Sequence, residues 1–383
     1  KGLIKDIKDN QVLIVLSGTG SGKTVLIPKY ALHQLDYKGK VAITLPKKVI
    51  TSSSAQFSAE TLDVDLGKEV GYVYKDSPKE MANSTNKLLY MTDGSLIVRL
   101  IKDPNLMEFN TVIIDEAHER KMQIDFMLLL LKKIIASGKR PDFKVIIMSA
   151  TVDTSIFKNY FTDVTKKIKV IEISGQPNFP IKSIYLKEST AVTPNYMVSG
   201  LKILKELLSD SKSVGDILFF VTGSAEAYQI CEQVVNNFPK VYCIEVYADI
   251  DKDKKEYAQS KDKYKSLGNF IRKVVIATNV AESSLTIDGL MIVIDSGYEL
   301  HSSYNPLLMA KVLEKKFITQ AQAQQRKGRV GRTQPGTCYH LYSEEQYNDM
   351  VKFPEPSILR EDITPEILKI LVIPTTGNWN VAE

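Results

Sequence analysis

The stretch Gln11–Thr24 (QVLIVLSGTGSGKT) constrains this chain more than any other part of the sequence. It begins as a run of Val, Leu and Ile, which is typical of a strand buried on both faces of a parallel sheet. It then passes through a glycine-rich turn that ends in Gly22, Lys23 and Thr24. In α/β folds such a turn lies at the carboxyl edge of the sheet, where ligands bind. The stretch therefore predicts an α/β fold with a binding site at this edge.

The turn itself has the composition of a loop that cradles phosphate. Its glycines allow successive backbone N–H groups to point at phosphate oxygens, and the following helix presents its positive end to the same charge. We expect Lys23 to reach the β and γ phosphates of a nucleotide and the Thr24 hydroxyl to bind magnesium. Ser17 replaces the first glycine of G-x-x-x-x-G-K-T, and the alternative is a turn that binds nothing. The predicted nucleotide-binding residues are Gly18, Thr19, Gly20, Ser21, Gly22, Lys23 and Thr24.

The composition is that of a globular protein with a small basic excess. The chain has 383 residues, 44% of them hydrophobic and 25% charged, so two α/β domains can each bury a core. The net charge of +5 is compatible with a polyanionic partner and equally with an ordinary surface. Cys231, Cys243 and Cys338 are scattered without metal-ligand spacing, so we expect reduced, buried side chains. No apolar run is long enough to span a membrane.

Alternating strand and helix patterns predict two parallel sheets in tandem. A stretch rich in Gly, Pro and Asn, residues 174–180, is expected to link the two halves. The second half has no phosphate loop of its own, and residues 298–318 are predicted to form a protruding hairpin. The predicted domains are 1–173, 181–348 and a short final segment, 349–383. Besides the first strand, strands are predicted at 41–45, 88–91, 111–114, 145–148, 181–186, 217–221, 241–246, 274–277 and 291–294.

Polar residues follow two of the predicted strands in the first half. Asp115 and Glu116 come directly after an apolar strand, where one carboxylate can hold magnesium through water and its neighbour can activate an attacking water. Alternatively, Asp115 caps the helix that follows. A histidine in a first helical turn, as His118 is here, is also compatible with simple packing. Ser149 and Thr151 would equally serve as ordinary helix caps.

A basic cluster, QQRKGRVGR, occupies residues 324–332. Gln325, Arg329 and Arg332 recur at helical spacing, so we expect them on one face of a single helix. Two guanidinium groups on one face suit a phosphate on which charge develops, as in an arginine finger. The alternative is a basic solvated helix or a patch that faces nucleic acid. Two glycines within the predicted helix favour close backbone packing over a free surface helix.

Six short motifs occur in a characteristic order along the chain. They are GTGSGKT at 18–24, TDG at 92–94, DEAH at 115–118, SAT at 149–151, ATNVAESSLTIDG at 277–289 and QxxGRxGR at 325–332. This series resembles the core of the DEAH-box helicases of superfamily 2, and its wording is similar to the poxviral and giant-virus nucleoside-triphosphatase RNA helicases. The resemblance implies an α/β fold of two tandem RecA-like parallel-sheet domains with a cleft between them. It also implies ATP- or NTP-dependent unwinding of RNA, with 3′ to 5′ movement.

The resemblance assigns roles to the nucleotide-site residues, with ATP (or another NTP) and Mg²⁺ as cofactors. Thr24 and Asp115 would hold magnesium, partly through water. Ser149 and Thr151 would couple hydrolysis to domain movement. Phe57 stands where cellular members have an arginine that stacks on the base, and an aromatic ring can still stack there. Asp288 would lie on the nucleotide side of the cleft. The implied catalytic residues are Asp115, Glu116, His118, Gln325, Arg329 and Arg332.

The resemblance also implies a surface that contacts the backbone of single-stranded RNA, with DNA left open. Such contacts are independent of sequence and sensitive to salt. Lys47 and Lys48 replace a pair of arginines of the family, and on their own they would also suit a solvated turn. The implied nucleic-acid-binding residues are Lys47, Lys48, Thr92, Asp93, Gly94, Thr222, Thr278 and Asn279.

Partners and location follow from the same resemblance. It implies a monomer with an activating protein partner, located in the host cytoplasm or the virion and not in a membrane. The final segment, 349–383, resembles the entrance to a winged-helix region of the family. Three alternatives remain open: a DNA translocase with the same core, an NTP-dependent switch without translocation, and a passive nucleic-acid-binding scaffold. The last is disfavoured by the intact residues Lys23, Asp115, Glu116, Arg329 and Arg332.

Overall fold

The protein forms two compact units of parallel α/β structure. The first unit contains the described residues up to 173 together with 355–372, and the second contains those from 179 to 354. No described helix is both long enough and apolar enough to cross a bilayer. The computed structural model describes residues 2–18, 22–150, 155–173, 179–187, 196–247, 250–283 and 287–372.

A seven-stranded sheet forms the centre of the first unit. Its strands lie in the order β3-β4-β2-β5-β6-β1-β7, and every neighbouring pair is parallel. All six residues of β1 are buried, because β1 lies between β6 and β7 and helices cover both faces of the sheet. The strands are β1 (Val12–Ser17), β2 (Val41–Leu45), β3 (Val70–Val73), β4 (Leu88–Thr92), β5 (Thr111–Ile114), β6 (Lys144–Ser149) and β7 (Ile168–Ile173).

Two hydrophobic cores, one on each face of this sheet, hold its helices in place. The helix Met122–Ala136 contributes eight buried residues to one of them, because its apolar side chains recur at helical spacing. The helix Lys23–Gln34 packs into the other core through Ile27, Ala31 and Leu32. The helices of the first unit are Gly2–Asp9, Lys23–Gln34, Lys48–Leu62, Asp93–Lys102, Met122–Ala136, Ser155–Phe161 and Thr364–Leu371.

The second unit is built on a six-stranded parallel sheet with the order β10-β11-β9-β12-β15-β8. The strands are β8 (Ile181–Tyr185), β9 (Asp216–Phe220), β10 (Val241–Val246), β11 (Arg272–Ala277), β12 (Leu290–Asp295) and β15 (Gly336–His340). Between β12 and β15 the chain forms an antiparallel hairpin of β13 (Tyr298–Asn305) and β14 (Ala310–Phe317). The helices are Tyr196–Ser209, Ser224–Asn237, Lys252–Gln259, Val280–Ser283, Gln320–Lys327 and Glu344–Asp349.

The fold class predicted from the sequence, two α/β domains with parallel sheets, is confirmed, and so is the hairpin. Three strands were missed: β3, β7 and β15, of which β3 and β7 lie at the edges of the first sheet. Edge strands are buried on fewer sides, so their apolar pattern is weaker than that of central strands. The predicted domain bounds stay a prediction, and most of the proposed linker, 174–178, lies outside the described residues. Residues 355–372, from the predicted final segment, pack with the first unit.

The expectation that all cysteines are reduced is wrong for two of them. Cys231 in the helix Ser224–Asn237 and Cys243 in β10 form a disulfide, with their Cα atoms 5.4 Å apart. The third, Cys338, is free and buried. The helix packs directly on the edge strand that follows it, and this helix-to-strand contact brings the two thiols together. The spacing of the cysteines along the chain does not reveal such a contact.

Candidate nucleotide-binding site

The turn after β1 leads into a helix through a glycine in the left-handed region. Gly22 has φ 73° and stands at the N-cap of the helix Lys23–Gln34, a backbone conformation that other residues adopt only with strain. The turn therefore delivers Lys23 and Thr24 to the first turn of that helix, at the carboxyl edge of the sheet. Gly18 is half-buried. Thr19, Gly20 and Ser21, predicted to bind nucleotide, lie outside the described residues.

Lys23 meets two carboxylates that follow β5. Its Nζ atom lies 3.8 Å from Asp115 Oδ1 and 3.4 Å from Glu116 Oε1, and it donates to the Ser17 carbonyl oxygen at 3.4 Å. The lysine side chain is only 5% exposed, so these charges interact in a medium that screens them weakly. One buried cation faces two carboxyl groups, so the cluster has a net negative charge when both are ionised. Such a cluster favours a further cation.

Thr24 and Asp115 supply the oxygen atoms that such a cation requires. The Thr24 hydroxyl donates to Asp115 Oδ2 at 2.5 Å, and the Glu116 N–H donates to Asp115 Oδ1 at 2.8 Å. Burial, together with the charge of Glu116, raises the pKa of Asp115 to about 7 against the opposing effect of Lys23. A hydroxyl and a carboxylate are ligands that Mg²⁺ accepts. The described residues contain no cluster of three His, Cys, Asp or Glu side chains suited to a metal.

His118 connects the end of β5 to the end of β6. Its Nδ1 accepts from the Ala150 N–H at 3.1 Å, and its Nε2 lies 3.2 Å from Glu116 Oε2. Burial lowers the pKa of His118, so the ring is neutral, with its proton on Nε2 and directed at Glu116. Glu116 itself has φ 54°, a left-handed conformation that is unusual for a non-glycine residue. Ser149, the last residue of β6, is fully buried, and Thr151 lies outside the described residues.

The prediction that Gln325, Arg329 and Arg332 share one helical face is wrong. The helix ends at Lys327, so only Gln325 is helical, and the two arginines lie in the turn that follows. The turn is enforced at Gly331, where φ is 76° and a Cβ atom would lie 2.5 Å from Ile181 Cγ1. The C-cap residue of the helix is Gly328, whose φ of −68° is also compatible with a continuing helix. The spacing of Gln325, Arg329 and Arg332 along the chain therefore did not reveal the break.

A buried arginine that the sequence did not single out organises this part of the second unit. Arg326 is fully buried and donates to Glu282 Oε1 at 2.7 Å, to Asp295 Oδ1 at 2.9 Å and to the Tyr298 carbonyl oxygen at 3.1 Å. Burial alone would raise the pKa of Asp295, but the Arg326 guanidinium holds it well below its usual range. Burial raises the pKa of Glu282 to about 7. The arginine therefore joins the helices Val280–Ser283 and Gln320–Lys327 to β12.

Arg329 and Arg332 lie next to this buried network in the chain, and Arg329 is bonded to it. Arg329 is 5% exposed and donates through Nη2 to the carbonyl oxygen of Glu282. Arg332 is half-buried; burial lowers its pKa, and the charge of Asp288 opposes that effect. Asp288 is itself exposed, and Gln325 is half-buried. The structure thus brings Arg329, Arg332 and Asp288 into one region of the second unit.

The predicted nucleic-acid-binding residues of the first unit lie at the ends of two neighbouring strands. Lys47 and Lys48 follow β2, and Thr92 ends β4. Lys48 is exposed, with its Nζ 3.8 Å from Asp76 Oδ2. Asp93 is only 6% exposed, so its carboxylate faces the interior. Gly94 is exposed with open space beside it, and Phe57 is 55% exposed on the helix Lys48–Leu62.

The corresponding residues of the second unit also end neighbouring strands. Thr222 follows β9, and Thr278 and Asn279 follow β11, which pairs with β9. Asn279 is exposed and Thr278 half-buried. Thr222 is 8% exposed, and both its N–H, at 3.0 Å, and its hydroxyl, at 2.5 Å, donate to Glu226 Oε2. Glu226 was not singled out from the sequence.

Comparison with known proteins identifies a helicase domain in each half of the chain. The profile of the DEAD/DEAH box helicases matches residues 1–158, and that of the helicase conserved C-terminal domain matches residues 199–334. A protein of Acanthamoeba polyphaga mimivirus, named as a putative ATP-dependent RNA helicase, is 51% identical over 371 residues, which cover 97% of this chain and 52% of that protein. The ATP-dependent RNA helicase HrpA of Borreliella burgdorferi is 35% identical over 371 residues, covering 96% of this chain and 43% of that protein.

A solved structure supports the assignment at the level of the fold. The DExH-box NTPase HrpB of E. coli matches with a TM-score of 0.79 and 28% identity, over 97% of this chain and 44% of that chain. The chain thus spans about half the length, or less, of the relatives that it matches. Its two parallel-sheet units correspond to the RecA-like domains of helicases. The two halves match the two domain models of a helicase core, and with the mimivirus and Borreliella relatives this shows that the chain belongs to the DEAD/DEAH box helicases.

Proposed function

We propose that this chain is the core of an ATP-dependent RNA helicase, which couples hydrolysis of ATP to movement along RNA and separation of its strands. The observation that carries the proposal is the buried cluster of Lys23, Thr24, Asp115 and Glu116 at the carboxyl edge of the first sheet. The names of the mimivirus and Borreliella relatives, both ATP-dependent RNA helicases, support the choice of nucleotide and substrate.

In this proposal the cluster binds the triphosphate and prepares the attacking water. Lys23 neutralises the β and γ phosphates, and Thr24 and Asp115 would hold magnesium, partly through water. When bound, magnesium stabilises the negative charge that develops on the transferred phosphoryl group. Glu116 orients the attacking water and accepts its proton, since it has a carboxylate next to the phosphate loop. The Nε2–H of His118 fixes one Glu116 oxygen, so the side chain is held in place before substrate arrives.

The second unit contributes the residues that contact the γ-phosphate. Gln325, Arg329 and Arg332 stabilise the charge of the transferred group, as arginine fingers do. Arg329 is suited to this role because its contact with Glu282 fixes its position. Phe57 stacks on the base, which its 55% exposure permits, and Asp288 lies beside the nucleotide. Ser149 and Thr151 couple hydrolysis of the nucleotide to domain movement. His118 contributes to this coupling because its Nδ1 accepts a hydrogen bond from the Ala150 N–H.

The strand-end residues hold the RNA by its backbone. Lys47, Lys48, Thr92 and Gly94 contact it from the first unit, and for Asp93 the contact comes from the main chain because its carboxylate is buried. Thr222, Thr278 and Asn279 do so from the second unit. These contacts neutralise phosphates, so binding weakens steeply as salt rises.

The hairpin β13–β14 serves as the wedge that separates strands. It forms a sheet of its own, and its turn exposes three large apolar side chains: Leu307 is 92%, Leu308 66% and Met309 81% exposed. Apolar side chains of this kind insert between stacked bases. Deleting the turn is expected to abolish duplex separation and to spare RNA-stimulated hydrolysis.

Steady-state ATP hydrolysis by this chain tests the proposal, measured without nucleic acid, with single-stranded RNA and with single-stranded DNA. RNA is expected to stimulate hydrolysis. Glu116→Gln is expected to lower it by about 10²- to 10⁴-fold while nucleotide still binds. Glu60→Gln, an exposed carboxylate on the helix Lys48–Leu62, is the matched control.

Each other outcome contradicts part of the proposal. Equal stimulation by DNA would identify a translocase that does not select RNA, and hydrolysis that ignores both nucleic acids would identify a nucleotide switch. Duplexes with a single-stranded 3′ or 5′ tail then test direction: movement from 3′ to 5′ requires that only the 3′-tailed duplex is separated.

A further inference from the structure

The carboxylate of Glu226 joins three elements of the second unit that are distant in sequence. Its Oε2 accepts from the N–H and hydroxyl of Thr222, at the end of β9, and from the hydroxyl of Tyr196. Its Oε1 accepts from Lys315 Nζ, on β14 of the hairpin, at 2.8 Å. The Glu226 side chain is 19% exposed and that of Lys315 44%, so the ion pair is partly shielded from water.

Two of these elements, the helix Tyr196–Ser209 and the hairpin, also meet through stacked aromatic rings. Tyr298 and Phe317 form the pair that closes the base of the hairpin, and their rings stack with centroids 4.3 Å apart. Tyr196 stacks on Tyr298 at 5.8 Å, and Lys315 Nζ lies 5.1 Å from the centre of the Tyr196 ring. The base of the hairpin is therefore packed on Tyr196, while the charge on its second strand is paired with Glu226.

Helix capping explains only part of this arrangement. Glu226 is the third residue of the helix Ser224–Asn237, and a carboxylate in a first helical turn commonly accepts from nearby backbone N–H groups. That role accounts for the contact with the Thr222 N–H. It does not require Tyr196, which is 30 residues away, or Lys315, which is 89 residues away. The carboxylate therefore has a second role that depends on the hairpin.

We propose that Glu226 is a positioning residue that links the hairpin β13–β14 to Thr222, so that duplex separation depends on it more than ATP hydrolysis does. This inference rests on the function proposed above. Both hydrogen-bond donors of Thr222 bind Glu226, and the N–H also donates to the Tyr196 hydroxyl at 3.2 Å, so Glu226 orients the Thr222 side chain. Because Lys315 holds the opposite oxygen of the same carboxylate, a displacement of the hairpin moves Glu226 and, through it, Thr222. Glu226 and Lys315 are named here the hairpin link.

Charge-neutral variants of the hairpin link test the inference. Glu226→Gln keeps an oxygen that can accept from Thr222 and loses the ion pair, and Lys315→Gln removes the same ion pair from the other side. Each is expected to lower the rate of duplex separation about fivefold, the effect of losing one partly exposed ion pair, with RNA-stimulated hydrolysis changed less than twofold. The double variant is expected to be no slower than Lys315→Gln alone, because both single variants break the ion pair and Lys315→Gln also removes the contact with the Tyr196 ring.

A neighbouring lysine provides the matched control. Lys316 lies on the same strand and pairs with Glu314 at 3.0 Å, so Lys316→Gln removes a charge from the hairpin without breaking the link. It is expected to separate duplexes at the wild-type rate. Hydrogen exchange across 298–317 supplies a readout independent of activity: it is expected to be faster in Glu226→Gln and Lys315→Gln than in Lys316→Gln.

The outcomes separate this inference from the proposed function. A wild-type chain that hydrolyses ATP but separates no duplex overturns both the proposed helicase function and the inference about the hairpin link. If the wild type separates duplexes, the hairpin link is refuted by Glu226→Gln at the wild-type rate, by a parallel loss of hydrolysis and separation, or by additive effects in the double variant. An equal loss in Lys316→Gln also refutes it, since hairpin charge alone would then be the cause.

Discussion

Replacing Asp93 by asparagine is expected to stabilise the first unit at neutral pH. The carboxylate is 6% exposed, and its Oδ1 has no hydrogen-bond partner among the described residues. Burial raises the pKa of Asp93 from 3.8 to about 6, and the positive charge of Lys121 opposes only part of that rise. The unfolded chain ionises this group freely, so the folded state is penalised when the group must be charged.

The sign and size of the effect follow from the two pKa values. Between about pH 4 and pH 6 the folded state holds the proton more tightly than the unfolded state, so the free energy of unfolding falls as pH rises through this window. A shift of this size corresponds to about 3 kcal/mol, all of it lost by pH 7. Asparagine carries no charge, so Asp93→Asn is expected to gain about 2 kcal/mol at pH 7, less than the full amount because its amide also needs partners.

Urea unfolding followed by circular dichroism, in steps from pH 4.5 to pH 7.5, measures this difference. Hydrogen exchange of peptides that contain β4 identifies the transition of the first unit. Asp142→Asn is the control in the same unit, because the hydrogen bond from Arg140 lowers the pKa of Asp142 and its removal should weaken the fold. This prediction is refuted if the free energy of unfolding has the same pH dependence in Asp93→Asn and in the wild type, or if Asp93→Asn is less stable than the wild type at pH 7. Either result would show that burial does not destabilise the ionised Asp93 carboxylate. The salt dependence of RNA binding should be unchanged in this variant.

Two further predictions concern the second unit. Arg326→Met leaves the carboxylates of Glu282 and Asp295 buried without their cation, so the free energy of unfolding of this unit is expected to fall by about 3–5 kcal/mol in urea titrations; a change below about 1 kcal/mol would contradict the role assigned to the network. Reduction of the Cys231–Cys243 disulfide is expected to cost about 3 kcal/mol, because it restores freedom to the unfolded chain. Thermal unfolding with and without reductant measures this loss of stability. A chain with both cysteines replaced by serine should unfold at the same Tm with and without reductant. A wild-type Tm that reductant does not change would refute the prediction that the disulfide stabilises the fold.

Local pattern was sufficient to predict the elements that carry the candidate site. The apolar run of β1, the glycine turn and the following helix depend on residues that are close in sequence, and Gly22 adopts the left-handed φ that such a turn needs. The central strands β2, β4, β5 and β6 were predicted for the same reason, since strands buried on both faces are continuously apolar. Residue type after the glycine turn and after β5 was enough to name Lys23, Asp115 and Glu116 as candidate site residues.

Sequence alone determined the order of the motifs and the resemblance to a family, whereas tertiary structure decided which side chains meet. Thr24 and Asp115 are 91 residues apart and touch because the strand order places β6 alone between β1 and β5. Arg326, the disulfide and the hairpin link between Glu226 and Lys315 depend in the same way on packing between distant elements. The periodicity of apolar residues in the sequence predicts whether a side chain faces a core. It does not predict which charged group or thiol lies across that core, because that depends on the arrangement of the whole chain.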